Sequence, residues 1–343
     1  MLLKRRLHLG VRARLAGVTL LTMLALSACA QHAQSALHPA GPVSQAELGL
    51  MGFGFWIMLG VFVVVVAVLG YSLVRFRERR GDQGLPPQVE GNHRLEIAWT
   101  LIPIVLLALL IVPTFRATFA LAQQQRGPGV VQVTVVGHQW WWEFDYPQLG
   151  IVTADEMHIP AGERVQLTLR SADVLHSFWV PALAGKEDTV PGQSNTMYLE
   201  AARPGLYPGQ CAEFCGVSHS EMRFDVIAQT PSAFAAWVQA RQHPDSTPAT
   251  AQAVQGEKVF AQYGCGSCHT IDGTQFQGKV GPNLSGLGTR LTLAGASLQN
   301  TPKDLRLWVS DAHKIMPSTV MPNFSTMSSS DLHALSAYLE GLK

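Results

Sequence analysis

The sequence predicts a multidomain membrane protein: a two-helix transmembrane hairpin, an all-β sandwich and an all-α domain. Three observations predict it. Residues 48–74 and 97–115 carry no charged side chain, and such apolar runs span bilayers. Val131, Val133 and Val135 alternate with polar neighbours, as do Val165, Leu167 and Leu169; that is the two-residue period of a half-buried strand. Beyond residue 253 the period becomes helical, with Leu332, Leu335, Tyr338 and Leu339 on one stripe. Of 343 residues, 47% are hydrophobic and only 14% charged, a balance that fits a membrane protein with soluble parts. The net charge of +1 supplies no basic field, so no nucleic acid is expected as a partner.

Residues 1–28 read as an export signal. Lys4, Arg5, Arg6, Arg12 and Arg14 precede an apolar run too short to span comfortably. The run ends in L-S-A-C at Cys29. That pattern resembles a bacterial lipoprotein cleavage box, which makes Cys29 a lipidation candidate, with a plain signal peptide as the alternative. Residues 29–47 form an exported tail, and 48–120 the hairpin. The second apolar run makes about 28 Å of helix, close to a hydrocarbon core. Its Pro103 and Pro113 are tolerable in a membrane. Arg75, Arg77, Arg79 and Arg80 follow the first span directly, so the loop 75–96 is cytoplasmic and both flanks lie outside. Glu96 stands at the cytoplasmic mouth of the second span, as an interfacial cap or a proton intake.

The sandwich is expected over residues 125–230, with antiparallel strands punctuated by Pro160-Ala161-Gly162, Pro191-Gly192 and Pro204-Gly205. Five cysteines occur: Cys29, Cys211, Cys215, Cys265 and Cys268. Paired cysteines outside the cytoplasm default to disulfides. The stretch GQCAEFCGVSHSEM, residues 209–222, tests that default. Pro208-Gly209 and Gly216 place it in a loop, which can wrap several donors around one centre. His176 ends an earlier strand-like run and can approach from a neighbouring loop. A mononuclear blue-copper site needs one thiolate, two imidazoles and a weak thioether. Here Cys211 and Cys215 leave one thiolate surplus beside His176, His219 and Met222. Two coppers sharing both sulfurs use every donor. A disulfide leaves His219 and Met222 idle, and tetrahedral zinc has no use for Met222.

Residues 91–228 resemble subunit II of the haem–copper cytochrome c oxidases. The shared stretches are EIAWTLIP, GHQWWWEFDY, DVLHSFWVP, PGQSN, RPGLYPGQCAEFCG and HSEM. The resemblance implies two membrane helices followed by a cupredoxin-like domain holding dinuclear copper A. Its ligands fall on His176, Cys211, Cys215, His219, Met222 and the carbonyl of Glu213. It further implies that the Glu213 side chain helps hold magnesium or manganese at the face toward subunit I, and that electrons reach the copper through Trp140. Trp141 and Trp142 are read as sheet packing. Glu96 matches the acidic mouth of a proton channel, and Asp188 is placed near the subunit I face. His138 and His158 are read as structural.

Residues 241–252 read as a linker, and 253–343 as the helical domain. Its C-G-S-C-H, Cys265 to His269, is the pattern of covalent haem c, with Cys265 and Cys268 bound to the vinyl groups and His269 to iron. A dithiol redox motif would want a βαβ context. Met316, Met321 and Met327 are candidates for the sixth ligand, a role in which sulfur raises the potential. GPNLSGLG and the haem motif resemble class I cytochrome c, where a Met-Pro shortly before the last helix is the ligand. That favours Met321, with Met316 the alternative. Thr301 with Asp304 and Ser328 with Asp331 are expected helix caps. His313 and His333 are expected to be solvated.

The resemblance implies the electron-accepting subunit of a caa-type terminal oxidase, an oxidoreductase of the bacterial inner membrane with both soluble domains on the periplasmic side. Electrons pass from haem c to copper and on to subunit I, which holds the oxygen chemistry. Other oxidase subunits, and a soluble or membrane cytochrome donor, are the further partners. Fusion of the haem domain replaces diffusive capture with a tether at roughly millimolar effective concentration. A nitric oxide reductase subunit and a copper-binding or assembly protein are the alternatives. Nitrous oxide reductase would need a propeller domain, and quinol oxidase relatives lack the copper ligands.

Overall fold

The computed structural model describes residues 34–77, 88, 90–122 and 129–343. The expected export signal (1–28), Cys29, Arg79 and Arg80 lie outside the described residues. The hairpin is α1 (Pro42–Arg75) and α2 (His93–Leu121). Their spanning stretches leave Phe55, Val64, Ile102 and Leu107 exposed, as lipid-facing side chains require. α1 begins earlier than its uncharged stretch, inside the expected tail. Pro42 suits a first turn, and that turn is bolted to the sandwich. The Ser44 hydroxyl donates to the Ala182 carbonyl at 2.8 Å, and Glu47 accepts from the Gly185 amide at 3.0 Å. Asn92 caps α2, accepting from the Arg94 and Leu95 amides at 3.1 and 3.3 Å.

The sandwich has ten strands: β1 (Val131–His138), β2 (Trp141–Tyr146), β3 (Ile151–Ala154), β4 (Glu156–Pro160), β5 (Val165–Ser171), β6 (His176–Trp179), β7 (Glu187–Thr189), β8 (Asn195–Leu199), β9 (Gly205–Cys211) and β10 (Arg223–Gln229). One sheet runs β3-β2-β1-β5-β8 and the other β4-β10-β9-β6-β7. The antiparallel expectation is corrected here. β1 pairs with β5 in parallel, and so does β4 with β10. Alternation in a strand reports which face is buried and carries nothing about partner direction. The chain changes sheets at Asp155, between β3 and β4, then returns for β5, and such crossovers bring strands back parallel. Between the sheets, Trp142 lies edge-on to Phe178 and Phe224, each 5.6 Å between centroids.

The third unit is helical, as the sequence predicts. α3 (Pro231–Gln242) packs on the sandwich, with Trp237 stacked over His158 at 4.3 Å. Then come α4 (Ala251–Gln262), α5 (Pro302–Ser310), α6 (Ala312–Ile315) and α7 (Ser329–Gly341), with a short ribbon of β11 (Thr292–Leu293) and β12 (Leu298–Gln299) that periodicity does not signal. Thr301 and Ser328 cap α5 and α7, each accepting at 3.1 Å from the Asp304 and Asp331 amides. α4 and α7 cross where Gly256 has no side chain; a Cβ there would lie 2.0 Å from the Ala334 carbonyl oxygen. The linker is not a free tether. Asp245 and Lys343 exchange backbone hydrogen bonds at 2.8 and 3.1 Å, and the Ser246 hydroxyl donates to the Asp272 carbonyl at 2.8 Å.

Candidate metal centres

The first candidate centre forms where β9 ends. Cys211 is its last residue, a loop follows, and a single 3-10 turn, His219–Glu221, leads to β10. Gly216, at φ 120°, makes the sharp turn that a side-chain-bearing residue would resist. The two sulfurs come within 3.8 Å. Cys211 Sγ lies 3.9 Å from His176 Nδ1 and 3.2 Å from the Glu213 carbonyl oxygen. Cys215 Sγ lies 3.5 Å from His219 Nδ1 and 3.7 Å from Met222 Sδ. The cysteines are free thiols. His176 and Met222 are fully buried, and Cys211 and Cys215 nearly so. Thus the predicted donors converge, and the separations leave room for metal between them. The sulfur-rich, two-imidazole set suits copper.

His176 opens β6 instead of ending a strand. The turn before it holds Asp173, which the sequence reading missed. Its Oδ1 lies 2.7 Å from His176 Nε2, on the ring edge away from Cys211. The same carboxyl accepts from the Val174 and Gln139 amides, each at 2.6 Å. A carboxylate on the far nitrogen of a ligating imidazole fixes tautomer and ring orientation. The signal was an aspartate three residues before the histidine in DVLH. Burial alone would lower the His176 imidazole; its hydrogen bonds to Asp173 and Cys211 outweigh it and raise it. The hydrogen bond with Cys215 pulls the Cys211 thiol well below its ordinary range, and the same bond pushes the Cys215 thiol up.

Trp140 stands beside this cluster. Its Nε1 donates to the Cys215 carbonyl at 3.2 Å, and Gln139 Nε2 donates to the same oxygen at 2.7 Å. On its other side Trp140 lines a cavity of about 470 Å³ between the sandwich and the helical domain. Cys265, Cys268, His269, Met316 and Met321 line it too. His269 Nδ1 donates to the Pro282 carbonyl at 2.8 Å, which leaves the other ring nitrogen for a metal. A Cβ on Gly281 would stand 2.6 Å from that ring. Arg290 Nε, buried at the cavity wall, has no partner among the described residues. An apolar cavity with two thiols, an imidazole, thioethers and an orphaned guanidinium nitrogen fits a covalent haem.

Other predicted residues fall as follows. Trp142 is core, but Trp141 also lines the cavity and stacks on His138 at 4.1 Å, so sheet packing is not its whole role. Met327 is buried in the helical core and does not line the cavity. Glu213 projects outward, 3.9 Å from Lys186 Nζ. Asp188 pairs with Ser177 across β6–β7, next to His176. Glu96 is exposed in the first turn of α2, with His93 at 3.6 Å. Exposed His313 contacts the Thr319 carbonyl at 2.9 Å.

The seam between the two domains is polar. Glu156 accepts from the Leu291 and Thr292 amides at 2.6 and 2.9 Å. Arg241 of α3 donates to the Ser285 and Gly286 carbonyls at 3.2 and 3.1 Å. The Ser218 hydroxyl donates to the Pro317 carbonyl.

This anatomy defines a membrane-anchored electron-transfer protein, with a copper-binding sandwich and a haem-binding helical domain. Three family profiles match it: the transmembrane domain of cytochrome c oxidase subunit II over residues 30–117, the periplasmic domain of that subunit over 149–229, and cytochrome c over 253–343. The chain is 41% identical to the cytochrome c oxidase subunit 2 of Alkalihalophilus pseudofirmus, over 95% of this chain and 96% of that protein. It is 35% identical to the Bacillus subtilis subunit 2, over 94% and 96%. The periplasmic domain of subunit II of cytochrome oxidase from Bradyrhizobium japonicum aligns at 26% identity over 35% of this chain and 97% of that one, with a TM-score of 0.33. The chain belongs to the cytochrome c oxidase subunit II family, in a form that carries its own cytochrome c domain.

Proposed function

We propose that this chain is the electron-accepting subunit of a terminal cytochrome c oxidase, with donor and acceptor sites joined through Trp140. Copper A is assigned to His176, Cys211, Cys215, His219, Met222 and the Glu213 carbonyl. Haem c is assigned to Cys265, Cys268 and His269, with Met321 as the sixth ligand. The two groups, when bound, supply the one-electron chemistry. The chain's residues hold, orient and connect them. Asp173 and the Pro282 carbonyl aim the two histidines. Hydrogen bonds across the seam hold the two domains together.

One observation carries the proposal: Trp140 touches both sites at once, lining the haem cavity while its indole donates to the Cys215 carbonyl. Trp140→Phe in the full chain removes that hydrogen bond with little loss of bulk. Expected is full copper and haem content, with copper reduction by the haem domain slowed at least about tenfold. Reduction at the wild-type rate would refute the Trp140 path. Elemental analysis should return two coppers per iron, and one copper would sink the shared-sulfur centre.

Further assignments follow the same reading. The Glu213 carboxylate, pointing out of the domain, is offered to magnesium or manganese at the subunit I face. Glu96 is the mouth of a proton channel completed by subunit I. The membrane is the bacterial inner membrane, with both soluble domains on its periplasmic side, and a soluble or membrane-bound cytochrome is the donor. A copper-delivery role is disfavoured by the burial of Cys211, Cys215, His176 and Met222, since delivery needs ligands that exchange.

A further inference from the structure

The turn where the chain changes sheets puts an unusual carboxylate on the seam. Asp155 has φ 58°, a left-handed conformation that Asp and Asn tolerate better than most residues. One carboxyl oxygen accepts from the Trp142 amide at 2.9 Å, within the sandwich. The other accepts from the Gly295 amide of the helical domain at 3.3 Å. Asp155 also lines the cavity that holds Cys265, Cys268 and His269, whereas its neighbour Glu156 does not. The facing charges are Arg290 from the helical domain, with Arg241 of α3 behind it, and the acids Glu156 and Asp225 of the sandwich. His158 stands 4.0 Å from Glu156, and burial lowers its imidazole to about 4, which keeps it neutral.

We propose that Asp155 is a redox-linked proton site of the haem cavity, taking a proton from solvent when the cavity gains an electron and returning it when the electron leaves. The inference rests on haem attachment at Cys265, Cys268 and His269. One electron enters from the donor and one proton binds a carboxyl oxygen; nothing else is oxidised or reduced. An added negative charge in a low-dielectric cavity favours the protonated form of a nearby acid. Asp155 is poised to respond: burial pushes its carboxyl up to about 7, against the pull of the Trp142 amide and Arg290. Both amides can still donate to the remaining lone pairs of the protonated acid. Each electron's charge is then partly compensated for as long as it rests in the cavity.

The test is a potentiometric titration of the haem in the full chain with copper loaded, between about pH 5 and 9. The midpoint potential should fall as pH rises through about 7. At full coupling each tenfold drop in proton concentration lowers it by about 59 mV. Asp155→Asn keeps a carbonyl acceptor and suits the left-handed turn. It is permanently neutral there, so its potential should stay flat near the wild-type acid plateau. A carboxylic-acid band should appear in the wild-type reduced-minus-oxidised infrared spectrum and vanish in Asp155→Asn. Glu156→Gln should keep the slope. A slope that survives Asp155→Asn, a slope lost only in Glu156→Gln, or a flat wild-type potential overturns the proton site. A chain that emerges from haem-attaching cells without covalent haem overturns the haem assignment itself, a distinguishable failure.

Discussion

At the scale of the residue, Asp173 and Met321 bear on the centres and His158 bears on stability. Asp173 holds His176 from its far nitrogen and ties it to the Gln139 amide, next to Trp140. Asp173→Ala should lower copper affinity about 10- to 100-fold, read by competition with a chelator, while the fold remains intact. An unchanged affinity would show that the carboxylate orients nothing of consequence. Met321 and Met316 both line the haem cavity, but Met316 is nearly fully buried and packs with the sandwich core. Met321→Ala should abolish the sulfur-to-iron absorption band, and Met316→Ala should leave it. His158 belongs to stability. Its folded imidazole is lowered from 6.5 to about 4, so the folded state binds fewer protons between those values. The neutral form's contribution is therefore complete above pH 6.5 and is lost as pH falls toward 4. Relative to His158→Gln, the wild type should lose on the order of 3 kcal/mol across that window, measurable by denaturant unfolding at each pH.

At the scale of the element, close backbone approach decides. α4 can cross α7 only because Gly256 is bare: a Cβ would stand 2.0 Å from Ala334 O and 2.7 Å from Tyr338 Cβ. Neither obstacle is a flexible tip. Gly256→Ala should destabilise the helical domain by about 1–3 kcal/mol, seen as an earlier unfolding transition of the haem signal than of the copper signal. The apolar stripe of α7 was legible from period alone, and Leu335, Tyr338 and Leu339 are buried. The sheet was less legible. Its inward residues could be read from alternation, but two parallel pairings could not, because pairing direction depends on crossovers between sheets.

At the scale of the whole molecule, the haem domain is docked and not merely tethered. Glu156 reaches amides 135 and 136 residues further along the chain, and Asp155 bridges to Gly295. Glu156→Ala removes the acceptor for the Leu291 and Thr292 amides and leaves Arg290 with less compensation. Amide exchange at Leu291 and Thr292 should then speed up, and copper reduction by the haem domain should slow and become sensitive to solvent viscosity. Unaltered exchange would mean that Glu156 does not secure the seam. The fusion therefore does more than raise local concentration: it sets the haem cavity against Trp140 and Trp141.

The three-part architecture and the candidate donor residues were legible in the chain alone, because membrane spans, the Cys211–Met222 cluster and C-G-S-C-H are local patterns whose chemistry follows from residue type and short spacing. Packing in three dimensions supplied the neighbour of each candidate donor and the contact of Trp140 with both sites. Asp173 behind His176, the two-sided contact of Trp140, and the Asp155–Gly295 bridge each depend on sheet crossovers and on docking of distant segments. Those relations are set by packing in three dimensions, and linear spacing does not encode them.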